Sequence, residues 1–205
     1  VTRPRPGDPE FSDYWSEFHD AVEGRPHNPF LDVLEPHLPA PGLALDVGSG
    51  RGKTAVWLLD RGFDVWALDA DPVAMGALVS RVGASGHDLN RLTTRVAAFE
   101  EADFPDCRLA VSVFSLFFTR PEAFGRVWSR LSHAMGPGAV FGGQFLGPND
   151  DWSRSGVTVQ TRDEVRGLLS GFEILYWEEV DRHGRTASGT AKRWHVFHVV
   201  ARRAD

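Results

Sequence analysis

The chain has a single cysteine, Cys107, among its 205 residues. No internal disulfide can form, which suits a reducing compartment and leads us to expect a cytoplasmic protein. Cys107 itself reads as a bystander and not a nucleophile. An excess of positive charge is also missing, since 22 Lys and Arg face 28 Asp and Glu for a net −6. Broad attraction to phosphate polymers or anionic membranes needs the opposite sign, so neither nucleic acid nor membrane is an expected partner. Long hydrophobic runs are lacking too. The longest, LAVSVFSLFF at 109–118, is well short of the ~20 residues of a spanning helix, and no signal-like apolar region stands at the N-terminus. Metal-ligand spacing is the last absence. His195 and His198 are three apart on an expected strand and face opposite ways, while His27, His37, His87, His133 and His183 are scattered, so no metal site is expected.

What is present is an ordinary globular composition, 42% hydrophobic, arranged as alternating units. Residues 8–22 predict an amphipathic helix with Asp8 as cap, Pro9 at the first helical position, and an apolar stripe of Phe11, Trp15, Phe18 and Val22. A short helical segment, FLDVLEPHL, follows, and PAPG at 39–42 closes an N-terminal cap of residues 1–40. Residues 41–205 then form the main domain. LALDV predicts a buried strand, KTAVWLLDR a helix stopped by Gly62, DVWAL a strand, and DPVAMGALVSRV a helix capped by Asp71 and ended by Gly83. Further strands are expected at 91–98, 109–115, 139–146, 172–180 and 193–202, with helices at about 120–135 and 161–169. Thr161 and Glu164 have the spacing of a capping box. The alternation implies an α/β fold: a seven-stranded, mostly parallel Rossmann-like sheet with helices on both faces. The last two strands are joined only by DRHGRTASGTAK, so the final strand should run antiparallel. Arg182, Arg185, Lys192 and Arg193 near that connection read as a solvated basic face.

The stretch LDVGSGRGKT, 45–54, carries the chemistry. As a P-loop it ends correctly in Gly52, Lys53 and Thr54, but the first required glycine falls on Val47. As a dinucleotide fingerprint it has Gly48 and Gly50, while the third glycine falls on Lys53. Asp69, at the end of the second strand, stands where a ribose-binding acid would be, so an NAD(P)-dependent oxidoreductase remains an alternative, as does a non-catalytic cofactor-binding module.

ALDVGSGRG at 44–52 followed by VWALDAD at 65–71 resembles motif I and the acidic second-strand end of class I S-adenosylmethionine-dependent methyltransferases. The resemblance runs over roughly 41–202 and is nearest to the small thiopurine- and tellurite-modifying members. It implies S-adenosylmethionine as cofactor and methyl transfer to a small-molecule acceptor, by a monomer or homodimer. It further implies cofactor contacts from Asp46, Gly48, Ser49, Gly50, Asp69 and Ala70, with Ser112 on the fourth strand. Where relatives hold the adenine with an aspartate, this chain has Ala98, so Phe99 and Glu100 become the expected adenine contacts. No Asn-Pro-Pro-Tyr-type motif follows the fourth strand, which disfavours methylation of nucleic-acid bases. Expected acceptor walls are Tyr14 and Trp15 on the first helix, Phe114 and Phe117 after the fourth strand, and Trp152. His19 is a candidate base. The first helix is expected to act as a lid.

Overall fold

The computed structural model describes residues 4–204; Val1–Arg3 and Asp205, at the ends of the expected cap and main domain, lie outside the described residues. Seven strands build one sheet: β1 (Leu43–Val47), β2 (Asp64–Asp69), β3 (Leu92–Val96), β4 (Cys107–Ser112), β5 (Met135–Leu146), β6 (Phe172–Arg185) and β7 (Ala191–Arg203). Their spatial order is β3-β2-β1-β4-β5-β7-β6. The first five pair in parallel, and β7 enters antiparallel between β5 and β6. The order reverses direction beside β1, and in open α/β sheets ligands bind at such a switch point, outside the strands' carboxyl ends.

Six helices accompany the sheet: α1 (Phe11–Val22), α2 (Phe30–Leu34), α3 (Lys53–Asp60), α4 (Pro72–Ala84), α5 (Pro121–Ala134) and α6 (Arg162–Leu168). The central strands β1 and β4 are apolar on both sides because both sides are covered. One core holds α2, α3 and α4 against Ala44, Val65, Leu109, Val111, Val140 and Val200. The other holds α5 and α6 against Leu45, Ala110, Phe141, Phe145 and Phe197. Local signals fix several ends. Asp71 caps α4 by accepting from the Val73 amide at 3.0 Å. Thr161 and Glu164 form the capping box, with amide contacts of 2.7 and 3.3 Å. No helix among the described residues is long and apolar enough to cross a membrane.

Several expected boundaries differ, among them the fifth strand, which starts at Met135 and not at Ala139. The first helix starts at Phe11, not at Pro9, and Asp8 instead accepts from the Arg5 amide at 2.6 Å in the preceding turn. The fourth helix passes through Gly83 to Ala84, since one glycine costs a helix only ~1 kcal/mol. The fourth strand leaves the sheet at Ser112, because Phe114 turns into the left-handed region at φ 52° and residues 116–118 coil into a 3₁₀ turn. Most of the connection at 181–192 is strand: ladder pairs continue through His183↔Arg193 to Arg185↔Ala191, closed by a tight turn at 186–190. Polar sequence concealed this extension, since each arm pairs with the other and needs no core.

Candidate active site

The loop after β1 is made by glycines in conformations that other residues rarely adopt. Gly48 has φ 81° and Gly50 φ 49°. A Cβ on Gly48 would lie 2.2 Å from the Ser115 Cβ, and one on Gly50 would lie 2.6 Å from the His19 ring. Both positions therefore exclude side chains on two counts. The Gly48 and Ser49 amides donate to the Leu68 carbonyl at 2.8 and 3.0 Å, drawing the loop over the end of β2. There the Asp69 carboxylate accepts from Gly50 N at 2.8 Å and Asp71 N at 3.0 Å. Ala70 lies between these acids. Ser49 is buried, its hydroxyl against the Met75 sulfur.

Asp46 is 1% exposed, and its Oδ2 has no hydrogen-bond partner. Burial, and then the neighbouring Asp69 charge, push its carboxyl up to about 8. Burial raises Asp69 as well, against the amide hydrogen bonds that hold it down. Two carboxyls thus meet under a backbone-lined loop, one of them lacking the partner that a buried acid needs. The orphaned Asp46 oxygen calls for a cationic donor, and the remaining lone pairs of Asp69 can accept from hydroxyls. It suits an amino-acid ligand with a ribose better than a triphosphate. The would-be P-loop lysine is engaged elsewhere: Lys53 donates to the carbonyls of Val22, Glu23 and Arg25, closing the C-terminal end of α1.

The same polar system lays α1 across the loop. Arg51 reaches Asp20 at 2.6 Å and Ser16 at 2.9 Å, and the Ser12 hydroxyl donates to Asp71 at 2.8 Å. His19 consequently rests on Gly50, and burial followed by the Arg51 charge lowers its pKa, favouring the neutral ring. No residue of α1 is fully buried, and Phe18 stays 40% exposed. The expected stripe instead meets the chain after β4, where Trp15 packs edge-on against Phe118 at 4.9 Å. The Trp15 indole N–H is buried without a partner.

Phe99, expected to face the cofactor, lies beside Gly48, its Cζ 3.3 Å from where a Cβ would be. Two other expected cofactor residues take part in hydrogen bonds within the chain. The Glu100 carboxylate accepts from the Arg120 amide and Nε at 3.2 and 3.3 Å, which turns it toward the start of α5. Ser112 shares a 2.8 Å hydrogen bond with Ser115 and accepts from Leu116 N, and Ser115 donates to the Val47 carbonyl. Ser112 thereby ties the end of β4 to the glycine loop.

All five expected wall residues fall into one aromatic series. Tyr14 contacts Trp15 at 5.3 Å, Phe118 contacts both Phe117 and Trp152, and Trp152 and Phe114 both contact Trp194. Phe117 itself is 1% exposed and backs Phe118, a residue that the sequence reading passed over. Lys192, expected on a solvated face, is buried: it pairs with both Asp150 oxygens at 2.5 and 2.6 Å and lies over the Trp194 and Trp152 rings. The reading missed it because its partner is 42 residues away. Cys107 is buried in the core, which pushes its thiol up to about 12, as suits a bystander. Among the described residues no three His, Cys, Asp or Glu side chains gather as a metal would require.

Known proteins share this fold. Residues 44–138 match a family model described as a methyltransferase domain. Over 78 residues the chain is 42% identical to ribosomal RNA small subunit methyltransferase H of Sinorhizobium medicae, a match covering 37% of this chain and 23% of that protein. The chain thus spans about a quarter of the curated relatives it matches. Among solved structures, TehB from Haemophilus influenzae superposes with a TM-score of 0.74 at 16% identity, covering 94% of this chain and 66% of the other. The Burkholderia thailandensis 1,6-didemethyltoxoflavin-N1-methyltransferase, solved with 1,6-didemethyltoxoflavin and S-adenosylhomocysteine, superposes at 0.68 with 23% identity, covering 100% and 93%. The strand order and the glycine loop between Asp46 and Asp69 thus accompany a stretch, residues 44–138, that is similar to a methyltransferase domain.

Proposed function

We propose that the protein transfers a methyl group from S-adenosylmethionine to a small-molecule acceptor. The observation that carries this reading is Asp46: a fully buried carboxyl with an orphaned oxygen, beneath the glycine loop and beside Asp69. Asp46 would meet the cofactor's ammonium, Asp69 its ribose hydroxyls, the Gly48–Gly50 backbone its amino-acid end, and Ala70 and Phe99 its adenine. When bound, the cofactor supplies an electrophilic methyl. The protein's own task is to orient the acceptor and to keep water out.

The aromatic series from Tyr14 to Phe114 supports that task. Its rings are apolar, and their faces attract a sulfonium charge. Residues 1–40 act in this reading as a cap, with α1 as the lid: Trp15 against Phe118 closes the space between the glycine loop and the chain after β4. Small acceptors are favoured over nucleic acid by the net charge of −6, since phosphate backbones are held by basic surfaces. We place the protein in the cytoplasm, acting as a monomer or homodimer.

The test is a thermal melt with ligands. At about 100 times its dissociation constant a ligand adds ~2.7 kcal/mol, a melting shift of very roughly 5–10 °C at this size. S-adenosylmethionine and S-adenosylhomocysteine should both produce it. A shift with NADH alone would favour the oxidoreductase. Tight cofactor binding without turnover over a broad acceptor panel would leave only a binding module.

A further inference from the structure

On the α2 side of the sheet, three strands beyond β4 present a polar row. Gln144 on β5 is paired with His198 on β7, and His198 with Glu178 on β6. These side chains stand side by side on one face, because cross-strand partners share a face. Beside them opens a cavity of about 240 Å³, lined by Asn28, Phe30, Val33, Tyr176, Glu178 and His198. It is apolar on the α2 wall and polar on the sheet floor.

The hydrogen bonds orient this floor. Gln144 is fully buried, and its Oε1 accepts from the Phe114 amide at 2.8 Å. That bond fixes the carboxamide, so its NH₂ faces His198 Nδ1, 3.5 Å away. Nδ1 is then the acceptor of the ring. Burial lowers the His198 pKa, against the raising influence of Glu178, so the ring is neutral and its one proton sits on Nε2. Tyr176 donates its hydroxyl proton to Glu178 at 2.9 Å, and the carboxylate keeps further lone pairs. His198 Nε2–H offers a donor beside the acceptor of Glu178. Phe30 supplies flat apolar surface to the cavity, its ring centroid 5.9 Å from that of His198, and Phe114 packs against His198 at the same distance from outside the lining. Phe114 is also the residue that joins this cavity to the aromatic series, through Trp194 at 5.8 Å.

We propose that this cavity binds the methyl acceptor, and that the acceptor is a neutral, planar nitrogen heterocycle with a lactam-type edge, its carbonyl taken by His198 and its adjacent N–H by Glu178. The inference rests on the methyltransferase reading above. A cavity of this size suits one or two fused rings, and a paired donor and acceptor recognises one edge of a ring while rejecting analogues that leave either group unpaired. Gln144 is in this scheme a positioning residue. It sets the His198 tautomer and at the same time holds Phe114 in its left-handed conformation, which a non-glycine residue keeps only when its surroundings enforce it.

The experiment uses lumazine, a fluorescent fused heterocycle with lactam edges, and 1,3-dimethyllumazine, which lacks those N–H groups. Calorimetry first measures S-adenosylhomocysteine binding to the wild type, His198→Leu and Glu178→Ala, and lumazine fluorescence is then titrated with each protein saturated by S-adenosylhomocysteine. Expected are equal S-adenosylhomocysteine affinities, and lumazine binding that falls at least about tenfold in each variant and about tenfold for the dimethyl analogue on the wild type. Lumazine that fails to bind, or that binds wild type and both variants alike, overturns the assignment. If S-adenosylhomocysteine itself does not bind, the methyltransferase reading fails, and lumazine titrated against the protein alone still decides whether the cavity recognises this edge. Should His198→Leu not fold, the exposed Glu178 position provides the deciding variant.

Discussion

Replacing Asp46 by asparagine tests the buried acid through its proton. The carboxyl moves from 3.8 in the unfolded chain to about 8 in the folded one, with burial as the main cause and Asp69 second. Between these values the folded state binds more protons than the unfolded state, so this acid makes stability fall as pH rises, by at most ~1.4 kcal/mol per unit. The whole penalty is of order 5 kcal/mol at full ionisation, and of order 2 kcal/mol of it falls between pH 6 and 8. For a chain of this size that portion is a melting shift of roughly 4–8 °C. The assay is urea or thermal unfolding of wild type and Asp46→Asn at pH 6, 7 and 8 without ligand. His19 and His198, whose folded pKa values are lowered, titrate nearby with the opposite sign, so the difference between the two proteins carries the test. Wild type should lose stability relative to Asp46→Asn as pH rises. S-adenosylhomocysteine should shrink that difference, since its ammonium partners the carboxylate, and its binding at pH 7 should release close to one proton in calorimetry across buffers. Parallel stability curves for the two proteins would refute the reasoning.

Further outcomes follow from other parts of the site. Asp69→Ala should weaken S-adenosylmethionine binding by about 1–3 kcal/mol, as ribose acceptors are lost; an unchanged calorimetric affinity would show that Asp69 does not hold the ribose. Trp15→Ala should reduce turnover more than melting temperature. Deleting residues 1–24 should leave a cooperatively folding domain that binds cofactor weakly and does not turn over; full activity of the shortened protein would rule out the lid. Lys192→Met strips the partner from the buried Asp150 carboxylate and should cost about 3–5 kcal/mol, read as a lower urea midpoint. A midpoint equal to wild type would mean that solvent reaches this pair.

The fold was legible because each unit carried its own punctuation. Pro72 after Asp71, the Thr161–Glu164 box and apolar runs flanked by glycine are local signals, and the structure keeps them. The glycine loop was legible for a related reason, since Gly48, Gly50, Asp46 and Asp69 lie within 24 residues and their spacing encodes one turn. What sequence spacing could not reveal was pairing across the sheet. Lys192 looked solvated until β7 brought it to Asp150, and no spacing announced the hydrogen bonds of Glu100 with Arg120, 20 residues away. The row of Gln144, His198 and Glu178 exists only because β7 runs antiparallel between β5 and β6. The left-handed turn at Phe114 gave no signal, since nothing local in VFSLFF marks it.

The buried Lys192 also bears on how the last hairpin finds its alignment. The outer arms of β6 and β7 are polar on both sides, and such strands slip easily because no hydrophobic face penalises a shifted register. A slip of one residue would send Lys192 to the opposite face and bring Ala191 or Arg193 toward Trp152 and Trp194. Ala191 would leave the Asp150 carboxylate without its cation, and the Arg193 guanidinium would not fit a space shaped around an ammonium between two indoles. One ion pair, held at the seam where β7 meets the 147–155 loop, therefore acts as a lock on alignment and selects the single pairing that also sets His198 between Gln144 and Glu178.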